Sequence, residues 1–149
     1  MRIVRTTDYK DMSRKAANVI SAQVSMKPDC VLGLATGTTP LGAYQQLAEW
    51  YRKGDVDFSR VSTYNLDEYR GLRHSDPQSY HYFMHENLFA HINIDEANTH
   101  VPDGANPDAD AACREYDRMV AEAGYPDLQL LGVGHNGHIG FNEPDDFFS

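Results

Sequence analysis

Cysteine is scarce in this 149-residue chain: Cys30 and Cys113 are its only two. They show no framework spacing, and Cys30 lies in an apolar run, which argues against a disulfide scaffold and for reduced thiols in a cytoplasmic setting. Basic residues are also few. Thirteen Lys and Arg against 22 Asp and Glu leave a formal charge of −9, without the basic footprint that nonspecific nucleic-acid binding needs. An anionic ligand would have to be met by backbone donors or a few placed cations. No apolar run approaches membrane-spanning length, and the opening MRIVRTTDYKDM has no apolar core, so no membrane partner is expected. Repeats, low-complexity tracts and linkers are missing too. What remains, 41% hydrophobic and 23% charged, is the composition of an ordinary globular protein. One domain over residues 1–149 is expected, long enough to bury roughly two thirds of its extended-chain surface.

Met12, Ala16, Val19, Ile20 and Val24 recur at helical spacing, so the pattern predicts an amphipathic helix from Asp8 to Met26. The short run CVLGL, Cys30 to Leu34, suits a strand buried on both faces. After the turn TGTT and Pro40, the periodic LGAYQQLAEWYRK predicts a second helix closed by Gly54. VSTYNL, Val61 to Leu66, is β-branched and aromatic and predicts a second strand. Asp76-Pro77 is expected to cap a helix reaching about Phe89, and Asn106-Pro107 one ending near Gly124. Leu128 to Val133 is expected to form the last strand. Strands alternating with helices argue for a parallel α/β sheet with crossover connections, which binds ligands beyond the carboxyl ends of its strands. Three polar clusters, ATGTTP, DEYRG and GHNGHIGFNEP, each come directly after a strand. If the strands are parallel, all three meet on one edge.

Each cluster has its own chemistry. In ATGTTP, Gly37 lets backbone approach a ligand, the following helix start offers N–H groups, and Thr36, Thr38 and Thr39 add hydroxyls. The lysine and spacing of a Walker loop are absent, and an ordinary capped turn fits the segment about equally well. Asp67 and Glu68 are adjacent, so they point in different directions. A carboxylate at a strand end can be partly desolvated, which raises its pKa and suits proton abstraction, although a solvated pair or a helix cap explains an isolated Asp-Glu as well. In Leu130 to Pro144, LLGVGHNGHIGFNEP, Gly132, Gly134 and Gly137 spell G-x-G-x-x-G. Pro144 stands where a dinucleotide fingerprint would continue its helix, so a nicotinamide cofactor is disfavoured. His135 and His138 with Glu143 lack zincin spacing, and no metal is expected. No chemical role is expected for His74, His81, His85, His91 or His100. His138, with glycines around it and an acidic partner after it, has the makings of a general acid/base.

Four segments in order, LGLATGTTPLGAY, TYNLDEYRGL, SYHYFMHENLF and GVGHNGHIGFNEP, resemble the glucosamine-6-phosphate deaminase (isomerase/deaminase) family over most of the chain. The resemblance implies a Rossmann-like three-layer α/β/α sandwich with a mainly parallel sheet, incomplete at its C-terminus. It implies conversion of D-glucosamine 6-phosphate and water to D-fructose 6-phosphate and ammonia, in amino-sugar catabolism, by a hydrolase acting on a C–N bond and without metal or organic cofactor. Asp67 resembles the base that moves a proton between C2 and C1. His138 resembles the residue that opens the pyranose ring, assisted by Glu143 and by Asn136, where the family often has Asp. Thr36, Gly37, Thr38, Thr39, Gly134 and Gly137 would bind the amino-sugar phosphate. The family runs about 100 residues further and carries its phosphate-binding Arg and Lys there. The chain therefore reads as the N-terminal portion of a longer enzyme, inactive by itself, and homo-oligomer formation in the full-length enzyme stays open. Asp145 and Asp146 stand where small or hydroxyl residues are usual, which argues against allosteric control. Two alternatives remain. A 6-phosphogluconolactonase-like hydrolase usually has Asp-Glu-Arg where this chain has Asp67-Glu68-Tyr69, and lacks the FNEP segment. A noncatalytic sugar-phosphate-binding module would have no use for a proton-transfer set.

Overall fold

The computed structural model describes residues 1–145; of the segment read above, Asp146 to Ser149 lie outside the described residues. Four strands form one parallel sheet in the order β3-β2-β1-β4, with β1 Val31–Leu34, β2 Ser62–Asn65, β3 Thr99–His100 and β4 Leu128–Gln129. The helices are α1 Tyr9–Met26, α2 Leu41–Lys53, α3 Tyr80–Asn87 and α4 Ala109–Glu122. No helix among the described residues is long and apolar enough to cross a membrane.

The sheet faces follow from strand alternation. Leu32 and Leu34 point to one side, into a core with Ala17, Ile20 and Val24 of α1, Tyr44 and Leu47 of α2, and Met84 of α3. Register places Gly33 beside Tyr64 and Gln129, and Tyr64 beside His100, so this row faces the other way. Gln129 lies over Gly33 so closely that a Cβ there would sit 1.9 Å from its Oε1. Tyr64 stacks on His100 with ring centroids 4.4 Å apart and meets Tyr116 of α4 edge-on. The Tyr116 hydroxyl reaches the carbonyls of Asn65 and His100. Helices thus cover both faces, three on one and α4 on the other: the expected α/β/α layering.

Several boundaries differ from expectation, each for a local reason. Asp76-Pro77 does not cap α3. Asp76 folds into a turn, its carboxylate accepting Gln78 N–H and its carbonyl Ser79 N–H, and Ser79 then caps the helix through Tyr82 N–H. Asn106 likewise closes a turn onto Asp108 N–H, and Asp108 is the cap of α4. The last strand pairs only as far as Gln129, with Leu128 beside Leu32 and Gln129 beside Gly33. Leu130 donates one more bond to the Gly33 carbonyl at 2.8 Å, and the chain then leaves the sheet. The two-residue β3 has no sequence counterpart. At the opposite end, the Asp127 carboxylate accepts from Lys27 Nζ at 2.7 and 2.8 Å and from Val31 N–H at 2.8 Å, tying the entry of β4 to β1.

Candidate active site

Parallel strands bring their carboxyl ends to one edge, and the segments that leave β1, β2 and β4 enclose a cavity of about 650 Å³ there. That volume suits a small-molecule ligand.

The first wall is the turn after β1. Gly37 has φ +94, a left-handed conformation that a side chain would strain, with nothing near its missing Cβ. Tyr44, fully buried, both accepts Ala35 N–H at 3.1 Å and donates to Ala35 O at 2.5 Å, fixing the start of the turn. Among the described residues the N–H groups of Gly37, Thr38 and Thr39 make no hydrogen bond. Free amides beside a helix start favour an anion.

Asp67 and Glu68, after β2, take the separate roles their adjacency suggested. Asp67 faces the cavity half-buried, and burial pushes its carboxyl above the usual value, with the neighbouring Glu68 charge adding to the rise. Glu68 turns away. Its Oε1 accepts from Tyr69 N–H and Tyr80 N–H, at 2.8 and 2.9 Å, and its Oε2 accepts from His81 N–H at 3.0 Å. It therefore caps α3, which is where Tyr80 begins.

Tyr80 was not singled out from the sequence, yet it lines the cavity and connects two walls. Its phenol hydrogen-bonds Tyr69 Oη at 3.2 Å and also the Thr36 side chain, and burial raises its ionisation well above the ordinary tyrosine range. The only available signal was its place directly after a capping serine.

The third wall is the loop after β4. Gly134 N–H donates to His138 O at 2.9 Å, Val133 bridges Ile139, and Gly137 turns with φ +89. Gly134 has a packing reason to lack a side chain: a Cβ there would lie 2.1 Å from His138 Nδ1. His138 Nδ1 is 2.8 Å from Asn136 Oδ1, and Asn136 Nδ2 donates to Glu143 Oε2 at 2.5 Å. His138 and Gly134 line the cavity, whereas Asn136, Gly137 and Glu143 do not. Asn136 and Glu143 therefore reach the cavity only through His138. Of the expected substrate-binding residues, Gly137 is the one the structure keeps out of the cavity wall, where it serves the turn.

Among the described residues lining the cavity there is no lysine or arginine, and no group of three or more His, Cys, Asp or Glu is placed to hold a metal. The groups present include a carboxylate at Asp67, an imidazole at His138, the threonine hydroxyls and the open backbone amides of the turn.

Residues 7–140 match the family described as glucosamine-6-phosphate isomerases/6-phosphogluconolactonase. The chain is 62% identical over 148 residues to a protein named glucosamine-6-phosphate deaminase from Lachnoclostridium phytofermentans, covering 99% of this chain and 63% of that one. It is 56% identical to one of the same name from Halothermothrix orenii, covering 98% and 61%. It thus spans about six tenths of the length of these curated relatives. Among solved structures it resembles a glucosamine-6-phosphate deaminase described as monomeric, with TM-score 0.94 and 44% identity over 97% of this chain and 60% of that one. A 6-phosphogluconolactonase from Thermotoga maritima is more distant, with TM-score 0.74 and 27% identity over 92% and 61%. One expectation is corrected by these relatives. They are named deaminases, in a family described by isomerases, and the label of a hydrolase acting on a C–N bond finds no support in them. On sequence and fold together, the chain belongs to the glucosamine-6-phosphate isomerase/6-phosphogluconolactonase family.

Proposed function

We propose that this chain supplies the turn, the base and the ring-opening histidine of an enzyme that converts D-glucosamine 6-phosphate and water to D-fructose 6-phosphate and ammonia. The observation that carries this reading is the meeting of Asp67 and His138 in one cavity with the open-amide turn Thr36 to Thr39.

The C2 proton of an amino sugar is acidic only when C1 is a carbonyl, so the ring must open first. His138 is the residue for that step, taking the proton from the C1 hydroxyl and delivering one to the ring oxygen. Asp67 then removes the C2 proton and returns it to C1. The C2–N bond becomes an iminium, water adds at C2, and ammonia leaves. A positioned acid or base of this kind contributes roughly 10²–10⁴-fold. A half-buried carboxylate with a raised pKa is a stronger base than a solvated one, which supports Asp67 in the role. Asn136 and Glu143 act by orienting His138. Thr36, Gly37, Thr38 and Thr39 meet the sugar phosphate, and Gly134 leaves room for the imidazole. No cofactor is assigned.

The deaminase reading is favoured over the lactonase by Tyr69 and by the Asn142-Glu143-Pro144 segment, whose Glu143 is engaged in the histidine relay. A cytoplasmic location goes with the two free thiols. The test is to supply glucosamine 6-phosphate to the full-length protein and follow ammonia and fructose 6-phosphate together. Turnover of 6-phosphogluconolactone without release of ammonia from the amino sugar would overturn the proposal.

A further inference from the structure

The turn after β1 is held at both ends by tyrosine hydroxyls, and only one of them is buried in the core. Tyr44 fixes the start at Ala35. The far end is held by Tyr9, the first residue of α1, some thirty positions away in the chain. Its hydroxyl lies 3.1 Å from both the Thr38 and the Thr39 carbonyl oxygens, to which it donates, and it accepts Gly42 N–H at 2.9 Å. Pro40, at the cap position of α2, makes no side-chain cap bond, so Tyr9 satisfies one of the helix's open N–H groups from outside. The approach of α1 is close. A Cβ on Gly42 would meet Ser13 Oγ at 2.3 Å and Tyr9 Cε1 at 3.0 Å.

This contact has a directional consequence. Peptide bonds among the described residues are all trans, so C=O and N–H point in opposite directions within each unit. Tying the Thr38 carbonyl to Tyr9 turns the Thr39 N–H away from α1. The Thr39 amide is one of those left without a partner, on a turn that lines the cavity while Tyr9 itself does not. We infer that Tyr9 is a positioning residue for substrate, holding the Thr39 amide in the orientation that receives an anionic group. The inference rests on the sugar-phosphate reading of the cavity given above. Without the hydroxyl, the turn would have to be ordered at the moment of binding, and that cost falls on affinity and not on the proton transfers.

The test is Tyr9→Phe in the full-length protein, which keeps the ring against Gly42 and removes only the hydroxyl. KM for glucosamine 6-phosphate should rise about 5-fold or more, with kcat within about twofold, the effect of losing about one hydrogen bond's worth of preorganisation. Amide exchange at Gly42, whose N–H the hydroxyl accepts, should quicken in the free protein. A kcat that falls in step with kcat/KM, or exchange unchanged from wild type, would overturn the role. Wild type assayed beside the variant separates the two claims. If wild type releases no ammonia, the proposed reaction fails, and the exchange comparison alone still decides whether Tyr9 orders the turn.

Discussion

His138 and Asn136 are joined through Nδ1 and Oδ1 at 2.8 Å, and the direction of that bond is set one residue further on. Glu143 can only accept, so the NH₂ end of the Asn136 amide must face it, at 2.5 Å. The amide oxygen then faces the imidazole, and Nδ1 must carry the proton. This leaves Nε2 of the neutral ring as the acceptor. A carboxylate at position 136 would impose the same tautomer but would also favour the imidazolium.

The first prediction follows from that lock. Asn136→Leu should lower kcat on the order of 10–100-fold, the range for losing a partner that orients a functional histidine. Asn136→Asp should keep most of the activity, because a carboxylate accepts from Nδ1 as the amide oxygen does. Equal losses in the Leu and Asp variants would mean that an acceptor at this position does not orient the imidazole.

Asp67 links function to stability with a definite sign. Its folded pKa is raised, by burial first and then by Glu68. A group of this kind favours the folded state below its unfolded pKa, and that contribution is lost as pH rises through the folded value. At neutral pH the ionised Asp67 therefore works against folding. Asp67→Asn should raise Tm at pH 7 while cutting kcat by roughly 10²–10⁴-fold and stopping solvent isotope exchange at C2. The Tm difference from wild type should shrink as pH falls through the folded value and be gone below about 4, where the unfolded carboxylate is protonated as well. A variant that exchanges the C2 proton at the wild-type rate would remove Asp67 from the role of base.

Glu68, its neighbour, should behave in the opposite way. It satisfies the N–H groups of Tyr80 and His81 at the start of α3, and the loss of a helix cap typically costs about 1 kcal/mol. Glu68→Ala should lower Tm by roughly 2–4 °C. Activity should fall through KM, because α3 carries Tyr80 into the cavity wall. A fall in kcat as large as that of Asp67→Asn, with Tm unchanged, would mean that Glu68 and not Asp67 handles the proton.

These contrasts show how far the sequence reaches. The α2 boundaries, Leu41–Lys53, are legible because the apolar stripe and the left-handed Gly54 mark them locally. The same holds for the three site clusters, since each follows a strand and parallel strands place such segments on one edge. Thr99–His100 is not legible, because two polar residues carry no strand pattern. It joins the sheet through the stacking of His100 on Tyr64 and the Tyr116 hydroxyl on its carbonyl, which are tertiary contacts. Two capping positions were displaced because Asp76 and Asn106 found turn partners two residues on, leaving Ser79 and Asp108 to start the helices. Tyr80 and Tyr9 were missed for a related reason. Each acts on a segment distant in sequence, and neither lies in a motif whose spacing reports its partner.

The clamp at the other end of the sheet gives the last prediction. Asp127 is held below the ordinary carboxylate range by Lys27 first and by Val31 N–H second, while Lys27 is raised, chiefly by the same pair. A depressed carboxylate contributes stability that is present above its unfolded pKa and is lost as pH falls through the folded value. The contribution is therefore complete at neutral pH and disappears below about pH 4. Part of it is not ionic, because Oδ2 also receives the Val31 N–H that precedes the sheet ladder. Asp127→Asn keeps an acceptor for that N–H and loses the charge, whereas Asp127→Ala loses both. At pH 7 the order of Tm should be wild type, then Asn, then Ala. Toward pH 3 wild type and the Asn variant should converge while Ala stays below them. Since β4 leads directly into the loop that carries His138, the Ala variant should also lose activity before it unfolds. Convergence of all three proteins at low pH would show that the charge pair alone, and not the bond to Val31, holds β4 to β1.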